Sequence, residues 1–590
     1  MNKVQFLVLY RQFLFRMVDL EVLSADGDVK RLLGQFATLL ISISSFAGFA
    51  GCLLDPRHMP HDRFVAATWG GAHFFIATTM LIVGLFAILS WDSSFPDRRD
   101  VLVLGPLPVR PRTMFVAKVT ALAVALSLTV AAFNGGLSLT WGTFDFSPAG
   151  SGLTGALRCF AAFWLASLAG GAFVFCALLG VQGIAGQLPR RYFLRLSSFL
   201  QMASFIVLFC GYFLEPSAAV PRVLAAAQHR GQLDWWPSYW FLGLFEKLNG
   251  WPAAVGSDGT TQGFAALNGA PAAAVAVLAG RAVLGLAIAV LIAGAAFLLA
   301  YLRTLRKIVE EPDILPGARG GAWLPRFGDA FQTAVVRFSI RSLIRSRQHR
   351  VILAFYLGIG FAIVTLYLRS GVMKVPRIAD MVLIANSILL LCFWVVGTRV
   401  VIAMPVDLRA NWVFRVTATQ GPAESLEASR RALAVMAAAP MLLGAAAVSL
   451  AIWPWRMAAA HLAVLGVLAL VLVDLSLYSF RKIPFTCSYL PGKSHFHMAF
   501  LGGMGLFLLT SWFAEYEQQF MARPMTYVGF LAVLVLVAAA VRRLGTASVQ
   551  DEDSAVQFED AMAPAVLTLG LNRDGIVPIV AVSVGPAPPR

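Results

Sequence analysis

Long apolar runs separated by short charged turns recur along this chain, and the runs have the length a bilayer demands. A helix rising 1.5 Å per residue needs about 20 apolar residues to cross a hydrocarbon core about 30 Å thick. Runs of that kind predict spans near 35–54, 72–91, 114–139, 157–181, 196–214 and 280–302. A second set falls near 351–368, 381–402, 432–452, 457–480, 498–514 and 525–541. A different pattern precedes each set. Residues 1–33 thread basic residues through an apolar run, which reads as a surface helix rather than a cleaved leader. In FQTAVVRFSIRSLIRSRQHR, Arg337, Arg341 and Arg345 fall four apart on one stripe, and Val336, Ile340 and Leu343 gather on another face. Such a helix lies on a membrane surface.

The expected fold is an all-α polytopic membrane protein of about 12 transmembrane helices in two parallel six-helix repeats, each preceded by an amphipathic surface helix. The first half covers 1–309, the second 330–544, and a tail follows at 545–590. Between the halves, EEPDILPGARGGAWLPRFGD (310–329) is rich in Pro and Gly and reads as a linker. The halves share a layout at an offset of roughly 315 residues, with little residue identity. An even number of spans in each relates them by an axis along the membrane normal.

Composition agrees with this picture. The 590 residues are 58% hydrophobic and 13% charged, with mean hydropathy +0.74, against about 25% charged in soluble domains. The net charge of +16 is spread over short loops, so topology accounts for it and nucleic acid does not. Loops on one side hold 34 Lys+Arg and those on the other 10. That asymmetry places both termini in the cytoplasm. Six cysteines in or beside apolar runs, with no CxxC, predict no structural disulfide and no zinc site.

Chemistry-bearing motifs are few. LPGKSHF ends like a phosphate loop, but Cys487 stands where that loop needs its first glycine and no buried strand precedes it. Asp55, His58, His61 and Asp62 crowd one outer loop, where Pro56 and Pro60 break any helical face, so a solvated loop is expected rather than a metal site. No catalytic constellation stands out, and the chain is not expected to be an enzyme. Asp474 and Arg399 are intramembrane polar residues near the inner ends of their spans, where a mutual pair or a proton-relay role for Asp474 are both open. In the long outer loop 215–279, Trp235, Trp236, Tyr239 and Trp240 suggest a short helix at the outer interface.

The segment WDSSFPDRRDVLVLGPLPVRPRTMFVAK (91–118) separates the second and third spans. Its arginines and aspartates cannot lie in lipid, where a charge costs at least about 2.5–3.5 kcal/mol. MPVDLRANWVFRVTATQGPAESLEASRR (404–431) makes the same passage in the second half. The first turn resembles the coupling segment of permease subunits of type V ATP-binding-cassette exporters. Arg98, Pro108, Val109, Arg112 and Lys118 fit that pattern, whereas Leu102 stands where an acidic residue is usual and Arg99-Asp100 replace Gly-Thr. In the second half only Asp407, Arg409 and the Arg430-Arg431 entry resemble it.

The resemblance implies both permease halves fused in one chain, with separate ABC ATPase subunits as partners. ATP and Mg would sit on those partners, and this chain would carry no cofactor. It further implies coupling residues at Asp97, Arg98, Arg99, Pro108, Arg110, Arg112 and Lys118, and at Asp407, Arg409 and Arg415. The second and fifth spans of each half would line the path. Two other readings stay open on these residues: a 12-span ion-coupled secondary transporter, and a membrane scaffold without transport.

Overall fold

The computed structural model describes residues 3–18, 41, 45, 61–95, 107–142, 153–215, 233–250, 270–310, 325–369, 376–406, 421–478, 480, 483–486 and 496–550. All its elements are helical. In the first half they are α1 (Lys3–Val18), α2 (His61–Leu89), α3 (Trp91–Ser94), α4 (Pro111–Gly142), α5 (Leu153–Ala185), α6 (Arg190–Leu214), α7 (Pro237–Asn249) and α8 (Ala270–Glu310). In the second they are α9 (Ala330–Arg345), α10 (Arg347–Arg369), α11 (Pro376–Ile402), α12 (Pro422–Leu433), a π-helical turn (Ala434–Ala438), α13 (Ala439–Ile452), α14 (Trp455–Ser476), α15 (Phe496–Met521) and α16 (Pro524–Gln550).

Among the described residues, eight stretches are long and apolar enough to cross a membrane: within α2, α4, α5, α8, α11, α12 running into α13, α14 and α16. The chain is therefore a polytopic membrane protein. Of the other four expected spans, 35–54 lies almost wholly outside the described residues. The one at 351–368 falls in α10, which meets α9 at 85° and passes the same test only together with it. The apolar part of α6 is only Phe199–Leu214, because Arg190, Arg191 and Arg195 occupy its first turns. α15 covers 498–514 but is not among the eight.

Local chemistry sets several boundaries. Asp329 caps α9 by accepting from Gln332 N at 2.7 Å, and Gln332 accepts in return from Asp329 N, a reciprocal capping box. Just before it, Gly328 has φ 97°, and a side chain there would run into Arg431. Gly250 closes α7 in the left-handed region, its N–H reaching the Glu246 and Lys247 carbonyls. The π-helical turn precedes Pro440, which has no N–H and whose ring crowds the preceding turn, so the helix widens there.

The same helix pairings occur in both halves. In the first, α1 packs on α4, α4 and α2 on α5, α5 on α8, and α2 on α6. In the second, α9 packs on α12, α13 and α11 on α14, α14 on α16, and α11 on α15. Small residues permit the close approaches. A Cβ on Gly183 of α5 would stand 2.9 Å from the Ala296 backbone of α8. The halves meet where α6 lies along α10: the Phe205 ring contacts Phe355 at 5.3 Å and covers Gly358, and Cys210 lies beside Thr365. Residue numbers rise together along both helices, so they run parallel and the two turns fall at one end of the bundle.

Candidate functional site

At that end each half presents its polar turn on a buried footing. The first begins at α3. Trp91 is 1% exposed and donates its indole N–H to Ser197 Oγ of α6 at 3.0 Å. Gln182 of α5 donates to the Trp91 carbonyl at 2.5 Å, and Gln201 of α6 to the Ile88 carbonyl at 2.8 Å. Phe95 packs on Phe297 of α8 at 4.9 Å between ring centres. The turn's first residues are thus tied to three helices besides their own.

At its far side the chain emerges through Leu107, Pro108 and Arg110, which are exposed, as is Arg112 at the start of α4. Lys118 is different: it is 2% exposed, and its ammonium sits 4.7 Å from the Phe13 ring centre of α1. It packs against α1. Asp97, Arg98 and Arg99 lie outside the described residues.

The second turn has an analogous entry. Phe485 N donates to the Ile402 carbonyl at 2.7 Å, and Val406 N to the Phe485 carbonyl at 3.1 Å. Phe485 has φ 65°, a strained value for a residue with a Cβ, and is held there by burial against Phe338 of α9 and His349 of α10. His349 Nε2 lies 3.2 Å from the Met404 carbonyl. Asp407, Arg409 and Arg415 lie outside the described residues.

At the exit from that turn Arg430 Nε approaches Asp474 Oδ1 of α14 to 2.6 Å. Glu427 gathers Arg430 at 3.5 Å, Arg431 at 3.6 Å and Arg542 of α16 at 3.1 Å. Arg431 also donates to the Phe327 carbonyl at 3.1 Å, tying in the entry to α9. Asp474 is therefore paired with Arg430 and not with Arg399. Arg399 instead donates to the Ser476 carbonyl at 2.8 Å, capping α14, with its guanidinium 4.3 Å from the Phe480 ring centre. Sequence spacing could not select between two arginines on different helices.

At the opposite end α7 lies in a groove formed by α2, α5 and α8. Of its aromatic group only Trp235 is exposed. Tyr239 is fully buried against His73, its ring 4.1 Å away, and Trp240 donates to the Asp234 carbonyl at 2.9 Å. Trp236 is half-buried. This end also holds two buried histidine–glutamate pairs, His73–Glu215 and His461–Glu517. No sequence spacing announces either, since partners lie 142 and 56 residues apart. Among the described residues no cluster of three potential metal ligands occurs. The side chains of the Asp55–Asp62 loop lie outside them. No family model, curated protein or solved structure matches this chain.

Proposed function

We propose that this chain is the membrane-embedded permease of an ABC-type exporter in the plasma (inner) membrane. It would move substrate by alternating access when a separate ATPase, which binds the ATP and Mg, acts on the two turns. Twelve spans in two parallel repeats, with both turns and both termini cytoplasmic, complete the reading. The observation that carries it is the footing of the turns. A force applied at 96–110 passes through Trp91, Gln182 and Ser197 into α5 and α6 as well as α2. A merely solvated loop needs no such connection. The recurrence of helix pairings in the two halves supports a two-fold arrangement for a two-fold partner. Exposed Pro108, Arg110 and Arg112 offer contact surface, with Arg98, Arg99, Asp97, Asp407, Arg409 and Arg415 as the remaining coupling candidates.

The experiment reverses the charges. Arg98→Glu/Arg99→Glu and Arg110→Glu/Arg112→Glu keep the turn polar, so insertion should be normal. Like-charge contacts at an interface cost several kcal/mol, so co-purifying ATPase activity should fall at least about tenfold, equivalent to about 1.4 kcal/mol. Arg409→Glu/Arg415→Glu should act in the same direction. Parental levels of co-purified ATPase in all three proteins would overturn the proposal.

The ion-coupled transporter is the second reading. Its specific support is the pair of buried histidine–glutamate contacts, because ionisable groups inside a membrane protein mark ion or proton pathways.

A further inference from the structure

The second-half pair belongs to a chain of three side chains joining three helices at the end away from the turns. His461 of α14 places Nδ1 2.7 Å from Glu517 Oε1 of α15 and Nε2 2.8 Å from Ser387 Oγ of α11. Glu517 is fully buried and His461 is 1% exposed. Proton bookkeeping limits what this geometry can be. The Ser387 hydroxyl has one hydrogen, and with that hydrogen on the Ile384 carbonyl at 2.7 Å it can only accept from His461. In that arrangement Nε2 carries a proton, and a second proton lies between Nδ1 and Glu517. The arrangement is an imidazolium beside a carboxylate, or a neutral imidazole beside a carboxylic acid. Both are the proton-loaded state. Removing one proton leaves either Nδ1 and Oε1 facing each other as lone pairs, or Ser387 pulled from Ile384. Glu517 Oε2 has no partner among the described residues to absorb the charge.

We infer that Ser387, His461 and Glu517 form a proton-binding site whose occupancy clasps α11, α14 and α15 together at the end opposite the turns. The first half holds a counterpart. His73 Nε2 of α2 lies 3.1 Å from Glu215 Oε1 at the end of α6 and 3.2 Å from Ser238 Oγ of α7. In each half the carboxylate stands at or near the C-terminal end of the fifth expected span, and a serine is the second partner of the histidine.

Other charges do not provide an alternative partner. From α16, Tyr527 faces the site with its hydroxyl donated to the Ala460 carbonyl at 2.9 Å. From α11, Asp380 accepts from Trp453 Nε1 at 2.7 Å, and that indole stands edge-on to His461. On α14 itself Arg456 lies over Trp455, and on α15 Glu515 accepts from Gln519. α13 and the π-helical turn carry no titratable residue. Glu427, Arg430, Arg431 and Asp474 form their own network at the turn end.

The test uses the purified full-length chain without any ATPase, so it stands or falls independently of the exporter reading. Two measurements are combined: pH-difference infrared spectroscopy, and maleimide labelling of Ala514→Cys read at that site by mass spectrometry. Ala514 is fully buried one turn before Glu517. As pH is raised stepwise, parental labelling should rise roughly tenfold when the clasp loses its proton. His461→Gln and Glu517→Gln should each remove a component of the difference spectrum and label fast throughout. Ser387→Ala leaves the ionisable pair intact but removes the Nε2–H acceptor, so its rise should come at lower pH. This last variant decides the matter if the other two fold poorly. Difference spectra unchanged in the glutamine variants, or a Ser387→Ala curve superimposed on the parental one, would overturn the inference.

Discussion

Asp474 shows how much one residue's role depends on what the fold brings to it. A lone carboxylate in a span suggests a proton carrier, but with Arg430 at 2.6 Å it is one end of a buried ion pair. Breaking such a pair from one side costs about 3–5 kcal/mol, because the remaining charge is stranded. Asp474→Asn should therefore lower the apparent melting temperature in detergent and leave any transport without a new pH dependence. Replacing both partners by apolar residues should recover most of the loss, since Arg431 and Arg542 still hold Glu427.

Glu246 of α7 is the opposite case. It is 2% exposed, makes no side-chain hydrogen bond among the described residues, and burial pushes its carboxyl well above the usual range. The folded chain thus keeps a proton that the unfolded chain releases above about pH 4.3. Stability is greatest below that value and falls as pH rises toward the raised one. Glu246→Gln should give a flatter melting profile against pH and a higher melting temperature than the parent at neutral pH. A variant that melts lower than the parent at neutral pH would instead point to a carboxylate held by a partner.

At the scale of elements, the seam between α5 and α8 rests on glycine. Gly183 allows the Ala296 backbone to approach so closely that even a Cβ would be at 2.9 Å, and backbone, unlike a side-chain tip, cannot turn away. Gly183→Val should cost about 1–3 kcal/mol by forcing the helices apart. Because Gln182 of the same turn holds the Trp91 carbonyl, the shift should also reach the first polar turn. Limited proteolysis at 96–106, faster in the variant than in the parent, would register it. A Cβ on Gly180 would stand 3.4 Å from the Ile292 side chain, an ordinary contact, so Gly180→Ala should be far milder and serves as the control.

For the whole molecule, the arrangement that matters is that both turns share one end and both buried histidine–glutamate pairs the other. The proposed topology makes a labelling prediction. Single cysteines in 215–279 should react with an impermeant reagent added outside cells, and those in 92–113, 310–329 and 545–590 should not. Reaction at 310–329 from outside would break the two-repeat reading.

Much of this architecture was legible in the chain. Spans are apolar because lipid offers no partner for charge, so run length alone located α2, α4, α5, α8, α11, α14 and α16. Periodicity likewise separated the faces of α9: Val336 is fully buried, Arg341 and Arg345 are exposed, and Arg337 is half-buried. Contacts between helices carry no such mark. A salt bridge or a histidine–glutamate contact is fixed by which helix faces meet, at separations of tens to hundreds of residues. Segment composition therefore left Asp474 open between Arg399 and a proton-relay role, and left His73, Glu215, His461 and Glu517 unremarked. The sequence by itself determined which segments enter the membrane, because partition into lipid depends on each segment's own composition. Only the tertiary structure decided which polar groups inside it find one another, because pairing depends on helix rotation and register that composition does not encode.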